Sequence, residues 1–314
     1  MKISVVVPTF REELNIKNHY LETIITLKKI REKYPKYDQY EYLVIDNCSD
    51  DKTVDEVLKL REKDQNIKLY VNDKNYGPVL SPFTGLINST GDYALLIAAD
   101  LQEPPNVLID FVDQVEKYDC DAAIGVKKEA KENFILWRLR GIYYRVLKTF
   151  GLVKITSRYS GFGLYKRELI EDLNDNYLDE PSLRILLPLI SNNIKSIPYK
   201  HLDREYGKSS YNLYGYIKEA LKTIIRNSTR IPTLAAKLAL IFTVFSIFLI
   251  PITILLKIIF WQSLGPGIAS IIILILLSNS GILLFISLLL DRQGQILSRL
   301  KPIRKVVKHK FIYE

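Results

Sequence analysis

Apolar residues are distributed along this chain in two different ways. Up to about residue 210 they come in short runs, ISVVVP (3–8), EYLVID (41–46), IKLYVN (67–72) and YALLIAA (93–99). Between these runs lie stretches with helical spacing of apolar and charged positions, 14–34, 52–64 and 79–89. Short continuous apolar runs read as strands buried on both faces, so the alternation predicts an α/β unit with a mainly parallel sheet covered by helices.

Beyond that unit the pattern changes. Leu238 to Leu256 carries no charge over 19 residues, and Ile268 to Leu290 none over 23. A bilayer core needs about 20 helical residues, so both stretches are long enough to span; buried core helices of a large soluble protein are the alternative. The linker QSLGPG is short and rich in turn formers, which suits a hairpin, and Trp261 sits where an interfacial aromatic belongs. Ahead of the first span, Leu213, Tyr216, Ile217, Ala220, Leu221 and Ile224 form an apolar stripe with Lys218, Lys222 and Arg226 away from it. Such a helix lies in the headgroup plane or packs on the globular domain. The expected organisation is a catalytic-type domain over 1–212, a juxtamembrane amphipathic helix over 213–236, transmembrane helices over 237–261 and 267–290, and a basic cytoplasmic tail over 291–314.

Charge sharpens this layout. The 314 residues carry a formal charge of +9, and the last 24 hold seven basic side chains against Asp291 and Glu314, five of the nine net charges. Basic residues thus flank the outer ends of both spans, which predicts a multi-pass inner (plasma) membrane protein with both termini cytoplasmic. The tail RLKPIRKVVKHKF reads as a patch for anionic membrane lipids. Nucleic acid is not expected as a partner, because no nucleic-acid-binding motif accompanies the charge. Two distant cysteines, Cys48 and Cys120, support neither a disulfide framework nor a zinc site. The start, MKISVVVPTFREE, lacks the long apolar region and cleavage site of a signal peptide and reads as a first strand.

In parallel α/β sheets, ligands bind outside the carboxyl ends of the strands. The residues after each predicted strand are polar and often acidic here: Pro8, Thr9, Arg11 and Glu12, then DNCSDDKT, then NDKNYGP, then Asp100 and Gln102. In LLIAADLQEPP, Asp100 emerges at the sheet rim, Gln102 projects from the same turn, and Pro104 and Pro105 stiffen the exit. An oxygen-lined turn with one carboxylate suits Mg²⁺ or Mn²⁺, which complete their shells with water and phosphates; an Asp capping the following helix is the plainer alternative. Neither a P-loop nor a G-x-G-x-x-G element is present.

VVVPTFREELNI, IDNCSDDKT, NYGPVLSPFTGLINSTGDY and ADLQEPP resemble the successive motifs of inverting family 2 glycosyltransferases with a GT-A (Rossmann-like) fold. ADLQEPP, the later SGFGLYKRELIE and DREYGKSSYNLYGY, and the paired spans are similar to the polyprenyl-phosphate glycosyltransferases, the group of dolichyl-phosphate mannose synthase. The resemblance covers essentially the whole chain. It implies a nucleotide-sugar pocket of Pro8, Thr9, Glu12, Asp46, Asp51 and Asp100, with Ser49 and Thr53 serving as ligands or as turn and helix caps. Metal falls to Asp100 and Gln102, catalysis to Asp100 and Arg204, and the acceptor phosphate to Arg138, Arg145, Arg204 and Ser209; for Arg138 and Arg145 a solvated helix face is the alternative. Two positions depart from the pattern: the lysine that often follows the R-x-x-G-x-S element of Arg204, Gly207 and Ser209 is Ser210, and the family's D-x-D begins here with Ala98. Loss of that carboxylate weakens the metal site, lets the donor diphosphate bring its own metal, or marks an inactive protein.

The implied reaction is inverting, metal-dependent transfer from a nucleotide sugar, UDP by family frequency, to polyprenyl (undecaprenyl or dolichyl) phosphate, feeding cell-surface glycan modification. A phosphate monoester is largely anionic near neutral pH and needs no general base. Two other readings stand beside it. Transfer to a hydroxyl of a lipid-linked saccharide would want a carboxylate base, for which Asp179 or Glu180 is available; a membrane-tethered nucleotide-sugar-binding protein without turnover is the other. Relatives of this architecture assemble through their membrane hairpins, so a homo-oligomer is a further expectation.

Overall fold

The computed structural model describes residues 1–128, 158–176, 182–202, 230–260, 267–299 and 307–314. These divide into two compact units, one holding 1–128, 158–176, 182–202 and 307–314, the other 230–260 and 267–299.

The first unit is a sheet with helices on both faces. Its strands are β1 (Lys2–Thr9), β2 (Gln39–Asp46), β3 (Ile67–Asn72), β4 (Tyr93–Leu96), β5 (Ala122–Lys127), β6 (Tyr159–Lys166), β7 (Ile194–Tyr199) and β8 (His309–Tyr313), in the spatial order β7-β5-β6-β4-β1-β2-β3-β8. The four anticipated strands β1 to β4 pair in parallel at the centre. β5 to β7 carry no clear signal in the apolar pattern; β6 runs antiparallel to β4 and β5, while β7 is parallel to β5.

Side chains alternate across the sheet, and each set is covered by its own helices. Val5, Val7 and Val44 pack with Ile16, Leu27 and Ile30 of α1 (Ile16–Lys33), Val57 of α2 (Thr53–Arg61) and Phe111 of α4 (Val107–Tyr118). Val6, Leu43 and Ile45 face the other way, toward Leu80, Phe83 and Leu86 of α3 (Gly77–Asn88), Leu169 and Leu173 of α5 (Arg167–Asn176), and Leu183 and Leu187 of α6 (Leu183–Ile190). Helix α3 comes close because Gly85 faces the sheet: a Cβ there would lie 2.4 Å from Val6 Cγ1 and 2.8 Å from Ile45 Cγ1. Central strands covered on both faces are why β1 reads as a nearly continuous apolar run, interrupted by the buried Ser4.

The second unit is a helical pair, α7 (Arg230–Ile259) and α8 (Ile268–Arg299). They pack antiparallel through small residues: Thr243 Oγ1 donates to Ser280 O at 3.4 Å and Ser287 Oγ to Ala236 O at 3.1 Å. Within them, Ala236–Ile259 and Ser270–Leu290 are long and apolar enough to cross a membrane, and only 11% and 6% of their most apolar stretches are buried. A soluble core helix would be mostly buried, so these helices need an apolar medium around them. Of the amphipathic helix expected over 213–236, residues 213–229 lie outside the described residues and 230–236 begin α7; most of the QSLGPG linker also lies outside the described residues.

One expectation is corrected. The charge pattern predicts a basic tail over 291–314, but α8 continues to Arg299, and His309–Tyr313 pairs antiparallel with β3 at the sheet edge. Charge dominates the sequence of that segment, whereas HKFIY carries the aromatic and β-branched residues that favour a strand.

Candidate active site

The carboxyl ends of β1, β2 and β4 lie side by side, because β1 pairs with β2 on one flank and β4 on the other. The backbone is strained along this edge. Among the described residues, four of the five non-glycine residues with positive φ lie there: Arg11 (60°) after β1, Cys48 (64°) after β2, Leu101 (57°) after β4 and Arg158 (63°) before β6. Left-handed backbone costs such residues about 1–3 kcal/mol and persists where surrounding structure enforces it, typically at binding sites.

At the β1–β2 corner the predicted donor-pocket residues meet. Parallel register sets Pro8 beside Ile45 and Thr9 beside Asp46. Asp46 is fully buried and accepts hydrogen bonds from Thr9 Oγ1 at 3.2 Å, Ser49 Oγ at 2.6 Å and Ser49 N at 2.9 Å. Burial pushes its carboxyl above the ordinary range, against the hydrogen bonds that pull it down. In this arrangement Asp46 shapes the loop from within. Asp51 accepts from Thr53 N (3.0 Å) and Thr53 Oγ1 at one oxygen and from Glu13 N (3.3 Å) at the other. Thr53 in turn receives Glu12 N at 2.8 Å, and Glu12 accepts from Asn15 Nδ2 at 2.6 Å. Ser49 and Thr53 are therefore struts of the two loops. Arg11 reaches outward to a bidentate pair with Asp50, both bonds 2.6 Å.

At the β4 corner the chain turns sharply through Asp100, Leu101 and Gln102. Asp100 and Gln102 are half-buried; Gln102 N donates to Asp100 Oδ1 at 3.2 Å, the sole side-chain bond that Asp100 makes among the described residues. Two supports hold the turn. Glu103, buried, accepts Ser160 Oγ of β6 at 2.6 Å and Ala98 N at 3.3 Å. Leu202 N donates to Gln102 O at 3.0 Å, and Gln102 Nε2 reaches Leu202 O at 3.4 Å. Burial, with Asp100 adding to it, raises the Glu103 carboxyl above its usual range.

The donors at this corner are hard oxygens, the type that a divalent cation takes. The described residues hold no group of three His, Cys, Asp or Glu side chains that could cage a metal. Asp100 and Gln102 fit an ion that draws the rest of its shell from phosphate and water.

Sequence reasoning missed Glu103, Ser160 and Leu202. Glu103 carries a visible signal, an acid wedged between Gln102 and two prolines; Ser160 and Leu202 reach the turn through pairings that no local pattern reveals. Arg138, Arg145, Arg204 and Ser209, along with Asp179 and Glu180, lie outside the described residues.

The chain is 24% identical over 302 residues to an uncharacterised glycosyltransferase, YkcC of Bacillus subtilis, covering 96% of this chain and 91% of that one. It is 25% identical over 219 residues to an undecaprenyl-phosphate 4-deoxy-4-formamido-L-arabinose transferase of Photorhabdus laumondii, covering 67% of this chain and 63% of that protein. Among solved structures it is similar to Staphylococcus aureus TarS with UDP-GlcNAc (22% identity, TM-score 0.45, 73% of this chain and 67% of that one). It is also similar to a Pyrobaculum calidifontis mannosyltransferase with GDP-Man and Mn²⁺ (17%, TM-score 0.45, 95% and 76%). The sequence model described as glycosyl transferase family 2 matches residues 4–173, more than half of the chain, and the chain belongs to that family as a glycosyltransferase of GT-A fold.

Proposed function

We propose that this glycosyltransferase moves a sugar from a nucleoside-diphosphate donor, a UDP-sugar, to a polyprenyl phosphate at the cytoplasmic face of a membrane. The observation that carries the reading is the clasp between Gln102 and Leu202. It fixes Leu202, which precedes the segment of the sequence that holds Arg204 and Ser209, at the strand end that carries Asp100. Arg204 and Ser209 are the residues assigned to the acceptor phosphate. Relatives named for transfer to undecaprenyl phosphate support the acceptor class, and two lipid-type helices support its location.

The donor lies with its nucleoside at the Pro8, Thr9, Glu12 and Asp51 corner and its diphosphate toward Asp100. A lipid phosphate oxygen attacks the anomeric carbon, the bond from that carbon to the diphosphate breaks, and the nucleoside diphosphate leaves with the electron pair. The configuration inverts. Mg²⁺ or Mn²⁺, held by Asp100 and Gln102, would supply positive charge for the departing diphosphate. Arg204, with Arg138 and Arg145, would bring the two anions together. No side chain needs to take a proton, since the nucleophile is already ionised.

The test is transfer by the detergent-solubilised chain from a panel of nucleotide sugars to undecaprenyl phosphate, with and without Mg²⁺ or Mn²⁺. Lipid-phosphate sugar formed only with metal supports the reading. Transfer to a lipid-linked saccharide hydroxyl but never to the phosphate would overturn it and bring Asp179 or Glu180 forward as the base.

A further inference from the structure

The chain leaves the sheet domain to form the helical pair and comes back for its last eight residues. Covering the edge of β3 would require only the paired segment Leu69 to Asn72 opposite Tyr313 to His309. The contacts go further. A register shift between Val71 and Asn72 brings His309 opposite Asn72, with Nδ1 3.0 Å from Asn72 Oδ1. Past the strand's end, Asp73 N donates to Lys308 O at 3.0 Å, and Lys308 N donates to Tyr76 Oη at 3.1 Å.

Those contacts land on the loop that leads to α3, and the inner side of that loop is tied to the β1–β2 corner. Asn47, the residue after Asp46, accepts Tyr76 N at 2.8 Å and Asn72 Nδ2 at 3.2 Å, and donates to Asn75 Oδ1 at 2.8 Å. Asn75 Oδ1 also accepts Gly77 N at 2.8 Å, and Asn47 N donates to Thr9 O at 2.9 Å. With both Nδ2 bonds of Asn72 going to Asn47 and Ser81, its Oδ1 accepts, so His309 is the donor at Nδ1. One network thus runs from the returning strand through Asn72 and Asn47 to Thr9.

We propose that residues 307–309 are positioning residues for the donor nucleotide: they clamp loop 73–77 from outside while Asn47 holds it from inside, fixing the wall of the pocket around Thr9. The inference rests on the donor-pocket reading above. A segment that comes after the membrane helices would then belong to the nucleotide site, and donor affinity would depend on the chain's return to the sheet.

The experiment uses the full chain in detergent and three variants: Tyr76→Phe, which removes the Oη acceptor and keeps the ring, His309→Ala, and a chain ending at residue 306. UDP and GDP binding with Mg²⁺ is titrated, and KM for donor and for undecaprenyl phosphate is measured beside melting temperature. Each point variant should weaken nucleotide binding and raise donor KM about fivefold, with acceptor KM unchanged. The shortened chain should lose more than either. If the parent binds nucleotide and the point variants bind it equally well while melting lower, the strand only covers an edge and this inference fails alone. A parent that binds neither nucleotide removes the donor pocket and the inference with it.

Discussion

The two corners of the active edge are built on opposite plans. At β1–β2, carboxylates are answered from inside the protein: Asp46 has three donors and Asp51 three, from the loops they hold. At β4, Asp100 has one donor among the described residues, on a turn strained at Leu101 and clasped from both sides. The contrast separates two tasks. The first corner uses its acids for shape, which gives the rigid wall that the proposed nucleoside would need. The second leaves an acid unused, where a cation and a diphosphate would meet.

That division predicts different failures for the same chemical change. Asp100→Ala should reduce transfer by about 100-fold or more, since electrostatic stabilisation of a leaving group is usually the largest single contribution to rate. Its melting temperature should stay close to the parent's, because only one hydrogen bond is lost. Initial rates at saturating donor and metal, set beside a melting curve, decide it. A variant that keeps its rate would break the comparison at its centre.

Asp46→Ala should do the reverse. It strands Ser49 Oγ and Ser49 N and leaves Thr9 Oγ1 only a long bond to Ile45 O (3.5 Å), at a cost of about 2–3 kcal/mol in stability. Denaturation midpoints should fall well below those of Asp100→Ala. A melting curve unchanged from the parent would show that Asp46 is not a strut, returning it to direct contact with base or ribose.

Acid offers a way to loosen the first corner without mutation. Helix α1 starts just past Glu12, and His19, one turn on, is fully buried with Nδ1 2.7 Å from Tyr42 Oη and its other nitrogen unpartnered among the described residues. Burial pushes His19 down to about 3. An unfolded histidine titrates near 6.5, so below that pH the unfolded chain takes up a proton the folded one refuses. Stability should therefore be flat above pH 6.5 and fall by about 2 kcal/mol between pH 6.5 and 5. Glu41 adds nothing in that window. Its burial raises the carboxyl, but hydrogen bonds from Ser4, Thr90 and Lys2 outweigh this and hold it at about 2, so its contribution is lost only below the usual range near 4.5. A His19→Gln chain that keeps the same slope between pH 6.5 and 5 would move the effect to another group.

Which features are legible in the sequence depends on which interactions are local. The four central strands show themselves because burial on both faces writes a nearly continuous apolar run. The turn at Asp100 shows itself because an acid at the end of such a run, followed by two prolines, is hard to explain otherwise. β6 is hidden: SGFGLYK contains two glycines, one of them, Gly163, packed against Ala123 O, where a side chain would not fit. β8 is hidden by the basic residues in and before it, Lys305, Lys308 and Lys310, and by more than two hundred residues between it and its partner strand. Asp46 and Asp51 read as ligand contacts in the sequence; the bonds that Thr9, Ser49, Thr53 and Glu13 give them come from loops that no local pattern brings together.

The smallest effect predicted for substitution within the two corners is at Ala98, where this chain departs from the family's D-x-D. Ala98 is half-buried and its N–H donates to Glu103, so the turn is already anchored by an acid that lies beneath it. Ala98→Asp would place a second carboxylate near Asp100. Were the site limited only by charge, the gain in metal affinity would be large; but the buried Glu103 lies beside the same turn and its carboxyl is already raised, so a new acid meets repulsion before it meets a cation. The expected outcome is a drop of about tenfold in the Mn²⁺ or Mg²⁺ concentration for half-maximal transfer, about 1.4 kcal/mol, with little change in the rate at saturating metal. Metal titrations of transfer by parent and variant measure it. An unchanged titration would mean that the donor diphosphate brings its own metal, leaving Asp100 to orient an ion already bound; a rise in the saturated rate would mean that the second carboxylate acts on the transition state, and that the two corners are less independent than their hydrogen bonds indicate.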